Sequence, residues 1–260
     1  MSNEVADILE QGFDVLVALA TYNEIDNLPQ LLPAILEALP NAGVLVIDDA
    51  SPDGTGNWCE DFKEGEPRVE ILHRSGKLGL GTAYLAAMEF ARQHHFGWLI
   101  TMDADGSHDP LALPRMLARA HSLPRCDVVI GSRYVQGGSI RDWPLRRRLA
   151  SWSLNGLLRR TLGGGIRDFT SGFRCYRVAI LEREVVSLPK ATGFGFLEEL
   201  VEKLLKQGAV FAEIPIEFRD RRGGVSKATW RECWTAATGI VRMLAGRTDT
   251  RSTQPARQDD

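Results

Sequence analysis

Short apolar segments alternate with helical patterns along the first half of this 260-residue chain, and this alternation constrains the fold more than any other feature. The segments are rich in Val, Ile and Leu, and each ends in polar or glycine residues. Strands and helices that alternate at this spacing form parallel sheets through right-handed crossovers. Continuously apolar strands indicate that helices cover both faces of the sheet. We therefore predict an α/β fold with a mostly parallel sheet. The predicted strands cover residues 15–20, 44–47, 69–72, 98–102 and 127–131.

Helix signals and breaks divide the remainder of the chain. Asp109 and Pro110 are typical of an N-cap followed by proline at the first helical position. The glycines of residues 163–165 are expected to end a helix. We predict a single domain over residues 1–246, followed by a disordered polar tail over 247–260. Four predicted helices cover residues 28–39, 82–93, 196–206 and 233–244, and a further helix ends near residue 62. A late strand is predicted over residues 209–218.

Composition excludes several classes of protein. A charged fraction of 25%, an apolar fraction of 44% and a net charge of −3 are ordinary for a soluble globular chain and argue against a nucleic-acid-binding protein. The first residues lack a basic segment followed by an apolar one, and no run of 18 apolar residues occurs, so neither a signal peptide nor a membrane span is predicted. Because the four cysteines include no close pair, they fit neither a disulfide scaffold nor a zinc module, and they suggest a reducing cytosol.

The sequence Asp103-Ala104-Asp105 directly follows the fourth predicted strand. Two carboxylates at this spacing can converge on one hard cation, and Mg²⁺ or Mn²⁺ is usually held by one or two carboxylates together with substrate phosphates. An isolated D-x-D would equally suit a solvated turn before a helix, but its position after a strand favours a metal that bridges a diphosphate. An EF-hand is excluded because His108 and Pro114 stand where that loop needs Gly and Glu. Zinc would require more His or Cys nearby.

Other strand ends also carry polar groups, and ligands of parallel sheets bind at these ends. Asp49 can accept hydrogen bonds from a ribose or a base, Tyr22 can stack on a base, and Glu24 can accept from it. Asp53 could instead cap a helix. The glycine-rich segment 74–81 is neither G-x-G-x-x-G nor a P-loop, so its glycines either approach a ligand or pack a helix against a strand.

Six strings, taken together and in order, resemble the polyprenol-phosphate mannosyltransferases, also called dolichol-phosphate mannose synthases. These are inverting glycosyltransferases of family 2 with the GT-A fold, a Rossmann-like nucleotide-sugar-binding fold. The likeness covers about residues 15 to 230. The strings are ATYNE at 20–24, VIDDASPDGT at 46–55, MDAD at 102–105, GSRY at 131–134, DFTSGFR at 168–174 and SK at 226–227.

The resemblance implies GDP-mannose as donor, a polyprenyl phosphate as acceptor, and Mg²⁺ or Mn²⁺ as cofactor. It implies that the guanosine part is held by Ala20, Tyr22, Glu24, Ile47 and Asp49. It implies that the diphosphate and the metal are held by Asp103, Ala104 and Asp105, with Ser107 at a further metal-contacting position. Phosphate or sugar oxygens would meet Arg133, Arg221 and Lys227. The acceptor phosphate would meet Arg147, Ser151 and Arg174.

Three of these residues, Asp103, Asp105 and Arg133, are predicted to be catalytic. The chain departs from the family at two of the matched positions. Ala20 stands where the family usually has Pro, which would loosen one nucleotide contact. Ser107 stands where some members have Gln, which changes the reach of a metal ligand.

Two arginine-rich segments fit an enzyme that brings two phosphates together. Residues 141–160 hold six arginines and one aspartate, and residues 219–231 hold five positive residues and one negative residue. Arginine binds phosphate through a planar, bidentate fork. A solvated helix face or an RNA-binding patch would also be arginine-rich, but the net charge of −3 and the lack of an RNA motif argue against RNA.

A lipid acceptor without a predicted membrane span implies peripheral attachment, on the cytoplasmic face of a membrane, with a membrane-anchoring partner protein as a further expectation. Tryptophan beside arginine suits a headgroup interface. One candidate is the helix over 233–244, which could equally pack on the sheet. The other is the arginine-rich segment 141–160. The apolar residues proposed to enter the membrane are Trp230, Trp234, Ile240, Val241 and Leu244 in the first, and Trp143, Trp152, Leu154 and Leu158 in the second.

Three rival functions remain open at this point. The same fold could use another donor, such as UDP-glucose, on a lipid phosphate. The chain could be a non-catalytic nucleotide-sugar-binding module. An aspartyl-phosphate hydrolase could use Asp103 as nucleophile and Asp105 as acid, although that pair usually follows the first strand of its domain.

Overall fold

The structure, a computed structural model, describes residues 14–185 and 195–220. Its strands form two sheets. They are β1 (Val15–Thr21), β2 (Ala42–Asp48), β3 (Val69–His73), β4 (Trp98–Asp103), β5 (Val128–Ser132), β6 (Ser139–Arg141), β7 (Arg174–Arg177), β8 (Phe211–Pro215) and β9 (Glu217–Arg219).

The helices connect these strands. They are α1 (Leu28–Ala38), α2 (Thr55–Gly65), α3 (Leu80–Gln93), α4 (Leu113–Ser122), α5 (Leu145–Leu162), α6 (Val178–Val185) and α7 (Gly195–Lys206). A short 3-10 turn at Pro110–Ala112 precedes α4, and the Asp109 side chain accepts from the backbone N–H of Leu111, so the predicted cap is confirmed. The predicted helix break is also confirmed, because Gly163, Gly164 and Gly165 all have positive φ.

The large sheet has seven strands within the described residues, in the order β3-β2-β1-β4-β7-β5-β8. Strands β1 to β4 run parallel to one another, and β5 runs parallel to β8. The predicted mostly parallel sheet is therefore confirmed. Strand β7, which the sequence did not reveal, lies antiparallel between β4 and β5. It is four residues long and has arginine at both ends, so it lacks the apolar run by which the other strands were predicted.

Helices cover both faces of this sheet, as predicted. Alternate residues of β1 point to opposite sides: Val17 and Leu19 pack with α1 and α4, whereas Leu16 and Ala18 pack with α3 and α7. These β1 side chains are fully buried. Burial of an aliphatic side chain of this size contributes about 1.5–3 kcal/mol to folding, so the two apolar layers hold the strand ends in register.

The predicted late strand over 209–218 is in fact two short strands in different sheets. β8 ends at Pro215, which has no N–H to continue the ladder. β9 then leaves the large sheet and pairs in parallel with β6. The backbone N–H of Arg219 donates to the carbonyl of Ser107 at 3.2 Å, so this second sheet lies beside the loop that follows β4.

Several predictions concern residues outside the described ranges. These are the absent signal peptide at the N-terminus, Arg221, Lys227, the helix over 233–244 with its tryptophans, and the tail over 247–260. Within the part of the chain that the structure describes, none of the helices combines the length and apolar character that crossing a membrane requires.

Candidate active site

The carboxyl ends of β1, β2 and β4 meet at one edge of the sheet. In the strand register, Ala20 of β1 lies between Ile47 of β2 and Asp103 of β4. Three segments that the sequence assigned to nucleotide and metal binding are therefore neighbours in space. The Ile47 side chain itself is fully buried in the core, which leaves only its backbone for contact with a ligand.

Asp103 is the last residue of β4, and Asp105 lies in the loop that follows. The Asp103 side chain is 32% exposed, whereas Asp105 is 6% exposed and accepts from the backbone N–H of Ser107 at 3.0 Å. The Ser107 hydroxyl is buried and has no hydrogen-bond partner among the described residues. Ala104 between them is also buried and could offer only backbone atoms.

These groups fit a hard divalent cation better than a zinc ion. Within residues 14–185 and 195–220, no group of three or more His, Cys, Asp and Glu residues is arranged to hold a metal. A zinc site would need such a group. Mg²⁺ and Mn²⁺ instead accept one or two carboxylates and complete their coordination with phosphate and water oxygens. The carboxylates of Asp103 and Asp105, two residues apart in the chain, and the buried Ser107 oxygen are ligands of the kind that such an ion accepts.

The loop after β1 is tied to the loop after β2 by hydrogen bonds to Asp53. Its carboxylate accepts from the backbone N–H of Thr55 at 3.0 Å and from that of Ile25 at 3.2 Å. Burial alone would raise the pKa of Asp53, but these hydrogen bonds and that of the Thr55 hydroxyl hold it below the ordinary carboxyl value. The Thr55 hydroxyl in turn accepts from the backbone N–H of Glu24. Asp53 therefore positions Glu24, in addition to bonding the first residue of α2.

Asp49 holds the glycine-rich loop before α3. One oxygen lies 3.0 Å from a guanidinium nitrogen of Arg74, and the other accepts from the backbone N–H groups of Leu78 and Gly79 at 3.0 and 3.1 Å. The ammonium group of Lys77 lies 4.7 Å from the centre of the Tyr22 ring. The structure thus places this loop beside Tyr22, which the sequence predicts to contact the nucleotide. It also gives the Asp49 carboxylate protein partners that a nucleotide would have to share.

Arg133, at the end of β5, forms a buried ion pair with Asp168. Two guanidinium nitrogens donate to the two carboxylate oxygens at 2.7 Å, and one also donates to the Thr170 hydroxyl. Burial works to raise the pKa of Asp168, but the guanidinium and its hydrogen bonds outweigh it and hold that pKa below the ordinary value. Burial likewise opposes the charge on Arg133, yet Asp168 and, more weakly, Asp103 raise its pKa. Arg133 is thus a fixed cation near the D-x-D loop, with its charge largely balanced.

The prediction that Arg174 meets the acceptor phosphate is wrong. Its side chain is fully buried, and its guanidinium donates to the backbone carbonyls of Ser171, Leu197 and Phe169 at 2.8, 3.1 and 2.5 Å. The arginine fork carries five N–H donors, so one side chain can reach several carbonyls at once. Arg174 therefore braces the loop over residues 168–174 and has no surface left for a lipid phosphate.

Arg147 and Ser151 lie one turn apart on α5. The Arg147 guanidinium is 48% exposed, stacks on the Trp143 ring at 4.0 Å and pairs with Asp220 at 3.2 Å. The Ser151 hydroxyl accepts from the Tyr134 hydroxyl at 2.7 Å. This placement leaves Arg147 able to meet an incoming anion, unlike Arg174.

The apolar residues of α5 divide into two faces. Leu158 is fully buried and Leu154 packs partly against the core, so the prediction that these two could enter a membrane is wrong. Trp152 is 66% exposed, as predicted for a membrane contact. Two further exposed residues, Leu145 and Leu149, precede it at helical spacing and form one face with it.

Sequence reasoning missed several residues that shape this site. Tyr84 and His108 both contact Asp103, and Asp168, which lies in one of the family strings but has no predicted role, pairs with Arg133. Glu198 in α7 gave no signal, because it lies in an ordinary amphipathic pattern. It is nonetheless buried, one of its oxygens has no partner in the described part of the chain, and burial raises its pKa to about 7.

The fold and the D-x-D loop at its edge define a glycosyltransferase of the GT-A class. The family model described as Glycosyl transferase family 2 matches residues 16–184, and the chain belongs to that family. The chain is 42% identical over 213 residues to the polyprenol monophosphomannose synthase of Mycolicibacterium smegmatis, a match that covers 82% of this chain and 80% of that protein.

Two further comparisons agree with this family. The chain is 39% identical over 234 residues to the undecaprenyl-phosphate mannosyltransferase of Micrococcus luteus, covering 90% of this chain and 95% of that protein. Among solved structures, a mannosyltransferase from Pyrobaculum calidifontis in complex with GDP-Man and Mn²⁺ superposes with a TM-score of 0.64. That likeness is at 18% identity, covers 94% of this chain and 66% of the other, and supports the fold.

Proposed function

We propose that this enzyme transfers mannose from GDP-mannose to a polyprenyl phosphate, with inversion at the anomeric carbon and with Mg²⁺ or Mn²⁺ as cofactor. Both named relatives are mannosyltransferases of polyprenyl phosphates, and the matches extend over most of the chain. The structurally similar mannosyltransferase contains GDP-Man and Mn²⁺, which supports this donor and this class of metal.

The observation that carries the proposal is the meeting of carboxylates and arginines at one edge of the sheet. Asp103 is near enough to Arg133 to raise its pKa. The guanidinium carbons of Arg133 and Arg147 lie 5.4 and 4.0 Å from the centre of the same Trp143 ring. A short series of contacts therefore links the Asp103 carboxylate, through Arg133 and Trp143, to the exposed guanidinium of Arg147. This arrangement supports a reaction between a diphosphate and a second phosphate.

Asp103 and Asp105, with the backbone of Ala104 and the Ser107 hydroxyl, would hold the metal. When bound, the metal would act as a Lewis acid for the charge that develops on the departing diphosphate. Arg133 contributes a fixed positive charge, and because Asp168 and Thr170 already hold it, it needs no reorganisation during the reaction. The predicted roles of Arg221 and Lys227 on the donor phosphates remain part of this proposal.

The acceptor side needs positioning more than base catalysis. A phosphate monoester has a second pKa of about 6, so it is mostly a dianion at neutral pH and does not need a strong general base. An oxygen of this dianion would attack the anomeric carbon from the side opposite the diphosphate, so a single displacement inverts the configuration. Arg147 offers a bidentate, exposed donor for this second anion, and its stacking on Trp143 limits its motion.

The exposed face of α5 would bring the enzyme to its lipid. Leu145, Leu149 and Trp152 lie among the arginines of residues 146–148, a pattern that suits the anionic headgroup region of a membrane. We therefore place the enzyme peripherally on the cytoplasmic face. Recruitment by a membrane-anchored partner protein is the second route, and flotation of the purified chain with anionic liposomes separates the two. Binding in the absence of other proteins supports direct attachment, and recovery in the soluble fraction at low salt contradicts it.

A donor panel tests the reaction. GDP-mannose, UDP-glucose and UDP-GlcNAc are each offered with a short polyprenyl phosphate, in Mg²⁺, Mn²⁺ or excess EDTA. We expect turnover with GDP-mannose and metal, and a β-linked product by NMR. Preference for UDP-glucose would establish the alternative donor. Tight binding of GDP-mannose without turnover of any donor would indicate a non-catalytic module.

A further inference from the structure

Two buried side chains approach the Asp103 carboxylate, one on each oxygen. The Tyr84 hydroxyl, from α3, donates to Oδ1 at 3.3 Å. The Nε2 atom of His108 lies 3.4 Å from Oδ2. Asp103 is itself the last residue of β4, and its backbone is set by the pairing with β1. The two contacts therefore restrict the rotation of the Asp103 side chain, because its backbone is already fixed.

Tyr84 is placed by the core rather than by the surface. It is fully buried and packs with the residues of α3 and α7 on one face of the sheet. A tyrosine hydroxyl has an ordinary pKa of about 10, so it is protonated at neutral pH and can donate to a carboxylate. Tyr84 is therefore a hydrogen-bond donor held in place by packing in the core.

His108 approaches from the opposite side and is also held by packing. Its side chain is 2% exposed, and its ring lies 4.8 Å from the ring of Phe173 and 5.2 Å from that of Phe218. Neither ring nitrogen forms a hydrogen bond within the described residues, and the Asp103 Oδ2 atom, 3.4 Å from Nε2, is a polar atom that this buried ring faces. A buried imidazole in such a pocket is costly unless a polar group compensates it.

The chain also passes close to this carboxylate at a glycine. A Cβ atom added at Gly172 would lie 3.4 Å from both Asp103 Oδ1 and the Tyr84 hydroxyl. The carbonyl of Gly172 accepts from the Thr101 hydroxyl at 2.7 Å, which fixes this close approach. The surroundings of Asp103 are thus defined on three sides, while about a third of its side-chain surface stays open.

We propose that Tyr84 and His108 are positioning residues, which hold the Asp103 carboxylate in the orientation that a divalent cation and the donor diphosphate need. This inference rests on the proposed function, because it takes Asp103 as a ligand of the metal. Groups that orient a metal-binding carboxylate affect metal affinity by about tenfold or more when removed.

EPR measures the binding of Mn²⁺ to the purified chain, with and without GDP. This measurement tests the positioning role independently of catalytic turnover. Tyr84→Phe removes only the hydroxyl, and His108→Phe keeps a ring between Phe173 and Phe218. We expect each variant to bind Mn²⁺ at least about tenfold more weakly and to lower kcat more than it raises the KM for GDP-mannose. Tyr176→Phe is the matched control, because Tyr176 is equally buried and its hydroxyl meets Arg174. It should bind Mn²⁺ within twofold of the wild type.

A rescue variant and a reference variant make the outcomes distinct. His108→Gln restores a side-chain N–H donor, so it should recover part of the affinity that His108→Phe loses; recovery would not follow from loss of packing alone. Asp103→Asn should lose Mn²⁺ binding. If it does, and Tyr84→Phe and His108→Phe bind as the wild type, the positioning role is overturned and the proposed function stands. Failure of the wild type to bind Mn²⁺ even with GDP would overturn both.

Discussion

The fold treats the carboxylates and the arginines of the candidate site differently. Asp103 at the end of β4 keeps about a third of its side chain open to a ligand. Two of the arginines predicted to meet phosphate, Arg133 and Arg174, are buried, the first paired with Asp168 and the second bonded to backbone carbonyls. Among the predicted phosphate-binding arginines that the structure describes, Arg147 is the exposed one.

This difference shows that an arginine-rich segment is not by itself a phosphate site. The guanidinium of Arg174 donates to three backbone carbonyls and so stabilises the loop that contains them. The guanidinium of Arg133 forms an ion pair with Asp168, which fixes its position and balances its charge. An incoming anion can contact a guanidinium directly only where the fold leaves it exposed, as at Arg147. Carboxylates that follow a parallel strand are more predictable, because strand ends always meet at one edge.

The largest effect is expected on the donor side. Asp105→Ala should reduce metal-dependent transfer by at least about 10³-fold, because it removes one of the two carboxylates proposed to hold the metal. Activity with GDP-mannose and a short polyprenyl phosphate measures this. Asp109→Asn, an exposed residue of the same loop that can still cap the 3-10 turn, should keep wild-type activity. Transfer by Asp105→Ala in excess EDTA would contradict a metal role.

The stabilities of two arginine variants distinguish an arginine that holds the fold together from one that is available to a ligand. Arg174→Met should lower the free energy of unfolding by about 3–5 kcal/mol, because it leaves buried carbonyls without their donor. The same substitution at the exposed Arg147 should change it by less than about 0.5 kcal/mol. Urea denaturation of both variants gives the two values, and equal losses would show that Arg174 is not the brace described above.

The buried Glu198 predicts a dependence of stability on pH. Its pKa is about 7 in the folded protein against an ordinary 4.5. The folded state therefore holds the proton more tightly, and the contribution of this group to stability falls as pH rises from about 4.5 to 7. Glu198→Gln should remove this fall and stabilise the protein at pH 8 by on the order of 1–3 kcal/mol.

The neighbouring carboxylate supplies the control for that experiment. Glu199 is 32% exposed and pairs with Lys203 one turn along α7. Glu199→Gln should change the free energy of unfolding by less than about 0.5 kcal/mol. Thermal or urea unfolding at pH 5 and pH 8 checks both variants, and a Glu198→Gln variant that parallels the wild type at both pH values would refute the assignment.

The smallest effect is expected at the acceptor. Arg147→Ala should raise the KM for the polyprenyl phosphate by about tenfold, the loss of a charge-assisted contact, and leave the KM for GDP-mannose within twofold. Arg160→Ala, which removes an exposed arginine near the other end of α5, is the control and should change neither value by more than about twofold. Equal increases for donor and acceptor would place Arg147 elsewhere in the reaction.

The sequence by itself determined the parallel sheet, the helices on both faces and the edge at which the candidate site lies. Runs of apolar residues indicate buried strands, and the residues that follow such strands lie at the ligand-binding edge of a parallel sheet. Tyr22, Asp49 and Asp103 could therefore be assigned to this edge without a structure. Tertiary structure alone decided where the short strand β7 inserts, because four residues between arginines carry no periodic signal.

Tertiary structure also decided what each charged group of the site does. Asp49 holds Arg74 and the glycine-rich loop, Arg174 points inward, and Glu198 is buried without a partner for one oxygen in the described residues. These outcomes depend on partners tens of residues away in the chain. Local sequence specifies that a guanidinium or a carboxylate is present, but its exposure and its pKa depend on which distant groups the packing brings beside it.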